Sequence, residues 1–112
     1  MNTLPLKMID MPYDWDALEP YIDRATMCYH YKNHYGGYYS KFVNALKEIG
    51  VNSSEIDLEF FYRIDDLDVK DGYKSLLKNN GGGRWNHSMF WLWMSPSSKL
   101  SGAFKKVLES EF

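Results

Sequence analysis

Residues 71–94 read DGYKSLLKNNGGGRWNHSMFWLWM, and the fold turns on whether they form one helix or two. Tyr73, Leu76 and Leu77 have the three-to-four spacing of a helix face, and residues 85–94 resume a helical pattern. Between them stand Asn79, Asn80, Gly81, Gly82 and Gly83. Each glycine costs a helix about 1 kcal/mol relative to alanine, so propensity alone predicts a break there. Pro96 ends the second piece.

Upstream, a first long helix is expected from about Trp15 or Asp23 through Ile49. Pro20 favours a break near Ile22, with Asp23 as the N-cap. Phe42, Leu46 and Ile49 give it an apolar stripe, with Lys41, Lys47 and Glu48 on the other side, and Gly50 fits its stop. Met1–Asp14, with Pro5 and Pro12, reads as an extended arm. Ser53-Ser54-Glu55 could open a short helix, and Asp65-Asp66-Leu67-Asp68 reads as a solvated acidic connector rather than a calcium loop. Downstream, Ser97 or Ser98 is expected to cap a final helix to Glu111 with Leu100, Phe104, Val107 and Leu108 as its stripe. The expected class is all-α.

Composition narrows the function. The chain has 112 residues and a formal net charge of −2, which suits one domain or a fragment and argues against nucleic acid or a polybasic membrane anchor as partner. Its single cysteine, Cys28, cannot form an internal disulfide. The longest apolar run, Met89–Met94, is far shorter than the ~18 residues of a membrane span, and no secretory signal is visible in Met1–Asp14. A soluble, intracellular and most simply cytoplasmic chain is expected. Aromatic residues make up 17% of the chain, more than so small a body readily covers. Some of them should face a partner, a second copy or another part of the same protein.

Three histidines offer chemistry. His30, His34 and Tyr38 recur at four-residue steps, so a straight helix puts them on one face, either as a metal or proton-transfer stripe or as a polar flank. Gly36 and Gly37 interrupt this face; they weaken the helix or let another backbone approach. His87 stands in Asn86-His87-Ser88-Met89-Phe90-Trp91, and an imidazole among such apolar groups calls for a hydrogen bond or a metal. If the two helices pack antiparallel, His30 and His87 could share one seam. Two imidazoles alone fall short of the three protein ligands usual for a transition metal. Cys28 and His30 point to different helix faces, and residues 79–84 lack the spacing of a phosphate loop.

Taken together, Met11-Pro12-Tyr13-Asp14, Ala17 through Asp23, Thr26-Met27, the His30/His34/Tyr38 stripe, Asn79–Gly83 and Trp85–Trp91 resemble the N-terminal, helical-hairpin domain of iron/manganese superoxide dismutases. The resemblance implies an antiparallel two-helix hairpin plus a short C-terminal helix, without the family's C-terminal α/β domain. It implies a hairpin domain over residues 1–96, with 97–112 as the start of the second domain. The glycine run would then lie inside one continuous helix. His30 and His87 resemble metal ligands for one Fe or Mn. Tyr38 and His34 resemble the residues along the substrate path and are the catalytic candidates, and Trp91 resembles an aromatic wall beside the metal. The implied reaction is the disproportionation of superoxide.

The family's remaining Asp and His ligands belong to its second domain. Gly83 stands where iron-type members often carry glutamine and manganese-type members glycine, while Trp85 is closer to the iron type, so the metal stays Fe or Mn. Two kinds of function follow. One is a dismutase half that works when a C-terminal half completes it, with that half or a homo-oligomer as partner. The other is a non-catalytic superoxide-dismutase-like scaffold or assembly protein, or an inactive fragment.

Overall fold

A computed structural model describes residues 7–52, 56–99 and 101–112. The first long helix begins at the later of the two expected starts. Asp23 is its N-cap, its carboxylate accepting the Thr26 N–H at 2.7 Å, and Pro20 lies in the turns before it. The helix runs without a break as α1 (Arg24–Tyr29), a π-helical segment (His30–Tyr35) and α2 (Gly36–Ile49). The π segment was not foreseen. It ends with Gly36 N–H donating back to Tyr31 O, the five-residue step that defines this wider turn. Gly36 and Gly37 do not interrupt the helix; a Cβ on Gly36 would meet Met8 Cε and the helix's own Tyr31 carbonyl oxygen, both at 3.7 Å. Gly50 closes α2 at φ 76°, a left-handed conformation that favours glycine.

A short helix α3 (Leu58–Tyr62) follows, capped by Asp57, and a single 3₁₀ turn, Ile64–Asp66. The expected helix opening at Ser53–Glu55 lies outside the described residues. The acidic connector is tied down on one side: the Asp65 carboxylate pairs with Lys78 and its carbonyl accepts from Lys74 Nζ at 2.8 Å.

The second long helix, α4 (Asp71–Trp93), is continuous through the glycines, against the propensity reading. The reason is tertiary. A Cβ on Gly81 would sit 2.6 Å from Phe61 Cε1 and 2.8 Å from Phe42 Cε1, and one on Gly83 would fall against the Tyr38 ring, 2.6 Å from Cγ. Rings from α2 and α3 therefore lie directly on the backbone of α4, and the burial they gain offsets the glycine cost. Gly82 has nothing within 4 Å of its Cβ position.

The hairpin is antiparallel, because His30 meets His87 and Trp91 near the far end of α4 while Phe42 meets Gly81 earlier in it. An apolar cluster fills each end. One joins Phe42, Ala45, Leu46, Ile56, Phe60, Ile64 and Leu77; the other joins Leu18, Met27, Tyr35 and Trp91 with the arm residues Met8, Ile9, Met11 and Tyr13 packed on it. The final helix, α5 (Gly102–Glu111), starts later than expected, after Ser101, and buries none of its described side chains. Its Phe104 is 65% exposed and Trp93 at the end of α4 is 73% exposed. The radius of gyration, 17.6 Å, exceeds the roughly 13 Å of a compact 100-residue domain. Among the described residues no helix is long and apolar enough to cross a membrane.

The glycines separate by role. Gly82→Ala should stabilise the chain by about 0.5–1 kcal/mol, whereas Gly83→Ala should destabilise it by about 1–3 kcal/mol through overpacking against Tyr38; urea unfolding of both variants checks this. The Thr26 N–H holds the Asp23 carboxyl below its ordinary value. That contribution is complete above the unfolded carboxylate value, about 3.9, and is lost as pH falls through the lower folded one. Asp23→Asn should flatten this part of the acid-unfolding curve followed by circular dichroism.

Candidate metal centre

The structure brings His30 and His87 together. Their ring centres lie 4.8 Å apart with planes crossed at 88°. Both side chains are half-buried, His30 on the π segment and His87 on α4. Around them stand Trp91, with its ring 5.0 Å from His30, Tyr38, 5.2 Å from His87, and Tyr35, stacked on His87 at 6.1 Å and 12°.

His87 Nδ1 lies 2.7 Å from the Gly83 carbonyl oxygen. A carbonyl can only accept, so in the neutral ring Nδ1 carries the proton and Nε2 keeps its lone pair. The glycine that lets Tyr38 approach thus also supplies the acceptor that sets the His87 tautomer. The His30 pKa is lowered, first by burial and then by the positive charges that His87 and His34 would carry. A neutral imidazole is the form that can bind a metal.

The pair fits part of a metal site. An imidazole nitrogen binds a metal at about 2.0–2.1 Å, which puts its ring centre roughly 3 Å from the ion, so ring centres 4.8 Å apart can share one ion. Among the described residues no three His, Cys, Asp or Glu side chains are grouped so as to hold an ion. The remaining positions of a coordination sphere would have to come from elsewhere. Trp91 Nε1, fully buried, has no hydrogen-bond partner among the described residues.

His34 is exposed, its ring 5.6 Å from His30 and 5.3 Å from Tyr29. It lines an open cleft of about 570 Å³ with Ala25, Thr26, Tyr29 and His30. A second hollow of about 260 Å³ is lined by His30, Asn86, His87, Phe90 and Trp93, so His30 borders both. Tyr38 stands against His87 rather than continuing a His30–His34 stack.

Sequence reasoning missed what holds these rings. Tyr31 and Tyr35 clamp one residue of the arm, Ile9, from both sides of its backbone. Tyr31 OH donates to Ile9 O at 2.6 Å, and Ile9 N–H donates to Tyr35 OH at 2.9 Å. Tyr13 OH donates to Trp91 O at 3.1 Å, fastening the arm to α4 as well. The four-residue spacing of Tyr31 and Tyr35 was the available signal; their partner, lying more than twenty residues upstream, was not.

The fold is thus a helical hairpin with a histidine from each long helix meeting in the seam. The family model described as iron/manganese superoxide dismutases, alpha-hairpin domain, matches residues 5–95, and the chain belongs to this family. It is 39% identical over 101 residues to the Mn/Fe superoxide dismutase 2 of Staphylococcus aureus strains Mu50, N315 and COL, a match that covers 88% of this chain and 48% of each relative. The chain spans about half the length of the curated relatives it matches.

Tyr31→Phe keeps the ring and deletes the donor to Ile9 O. It should cost about 1 kcal/mol, the net worth of one hydrogen bond, and speed amide exchange in the arm around Ile9, read by hydrogen exchange.

Proposed function

We propose that this chain is the helical-hairpin half of an iron- or manganese-dependent superoxide dismutase, converting two superoxide ions and two protons to oxygen and hydrogen peroxide once a C-terminal half completes the site. The observation that carries this reading is the crossed pair of imidazoles, His30 and His87, with His87 Nδ1 committed to Gly83 O. His30 and His87 would hold one Fe or Mn, with an aspartate and a histidine from the second half. Bound there, the ion would supply one-electron cycling between its +3 and +2 states.

The chain's own residues prepare the rest. The Gly83 acceptor keeps the His87 lone pair on Nε2, and burial favours the neutral form of His30. Tyr38, half-buried beside His87, brings a phenol that can hold or pass a proton near the reacting ion. His34, exposed on the open cleft, can exchange protons with water and admit a small anion past Tyr29. Trp91 walls the inner side of His30 against water. Its buried N–H, without an acceptor among the described residues, supports a site finished by a further group.

A second reading has its own support. Exposed Trp93, Phe104 and Val107 suit a scaffold that packs on a partner, its histidines idle. Elemental mass spectrometry on protein purified from its native source separates the two. The dismutase reading expects about one Fe or Mn per chain in complex with a C-terminal half, and almost none after joint replacement of His30 and His87 by alanine. A scaffold keeps its partner through that replacement. Intact, folded native complex with no Fe or Mn overturns the first reading.

A further inference from the structure

We infer that Tyr35 is a positioning residue for His87, holding the plane of its imidazole with a ring that is itself tethered at the hydroxyl by Ile9 and Ser88. The inference rests on the metal-site reading above and deepens it.

Tyr35 is fully buried. Its ring lies 12° from parallel with His87 at 6.1 Å, within the range of offset stacking. A ring steadies its neighbour only if it is steadied itself, and here each link of the tether has an assigned direction. The Arg84 carbonyl can only accept, so the Ser88 hydroxyl donates to it at 3.0 Å. With its proton committed, Ser88 Oγ accepts from Tyr35 OH at 2.7 Å. The Tyr35 oxygen in turn accepts the Ile9 N–H at 2.9 Å. Neither hydroxyl has an uncommitted proton.

The tether ends beside the His87 bond. Ser88 follows His87, and Arg84 follows Gly83, whose carbonyl accepts from His87 Nδ1. One turn of α4 therefore carries both side-chain bonds to its own backbone. A free neutral histidine prefers its proton on Nε2, so the Gly83 bond reverses the intrinsic tautomer. That reversal lasts only while the ring stays in line with the carbonyl, because an N–H···O bond weakens steeply with misalignment. Tyr38, tilted 39° to His87, does not define its plane. Tyr35 does.

The test uses this chain without metal, at a pH where the imidazoles are neutral, and reads the His87 tautomer from two-bond proton–nitrogen NMR correlations. Wild type should show the proton on Nδ1. Tyr35→Phe keeps the ring and removes the tether, and should raise the minor tautomer about three- to tenfold, the size set by one net hydrogen bond. Ser88→Ala should do the same, and the double variant no more than either single one. Tyr31→Phe, which loosens only the Ile9 side of this tether and leaves the Ser88 bond, should change the tautomer less than Tyr35→Phe does.

A folded Tyr35→Phe chain with the wild-type pattern would make Tyr35 structural only and overturn the inference. So would an equal change in Tyr31→Phe. If Tyr35→Phe does not fold, Ser88→Ala decides alone, with an unchanged tautomer as the overturning result. Because no metal takes part, this outcome is separate from the Fe and Mn content that tests the dismutase reading.

Discussion

Two aromatic rings resting on a glycine backbone hold this molecule in register. Phe42 on Gly81 and Tyr38 on Gly83 bring the long helices closer than any side chain at those positions would allow. The approach sets which residues face each other along the seam, so His30 comes opposite His87 and not a turn away. It also leaves the Gly83 carbonyl within reach of His87 Nδ1. One packing constraint thus bears on helix continuity, helix register and the tautomer of a candidate ligand.

The rest of the hairpin is arranged around that seam. Apolar clusters close it at both ends, and the middle keeps groups that can carry protons. Burial and like charge disfavour the charged form of His30, which suits a ligand but would be a liability in an ordinary core. The arm, clamped at Ile9 by Tyr31 and Tyr35, covers one side of the first helix and links it to α4 through Tyr13. At the end of α4 and on α5, Trp93 and Phe104 are exposed. Such faces mark where a further body would gain most by docking.

Much of this was legible beforehand. Asp23, Gly50 and the stripe of Phe42 and Leu46 announced the first helix, because caps and periodicity act locally. His30 stands out by its spacing with His34 and Tyr38 and His87 by its apolar neighbours, and antiparallel packing brings the two together. The glycine run misled, since propensity counts what a glycine lacks and not what may then approach it. The start of the last helix was placed too early, at Ser97 or Ser98 rather than Ser101, because several serines in a row can each serve as a cap. The π segment left no mark in residue type; its wider turn is a backbone adjustment made within the packed hairpin.

What the sequence determined by itself is the all-helical character, the end of the first long helix and the kinship with iron/manganese superoxide dismutases. These follow from periodicity, capping and motif, all of which reside in neighbouring residues. Only the tertiary structure decided that α4 is one helix, that the His87 proton sits on Nδ1, and that Tyr35 and Ser88 tie the arm to the seam. The first and last depend on groups far apart in the chain, and the His87–Gly83 bond, though local, needs the helix that their packing keeps continuous.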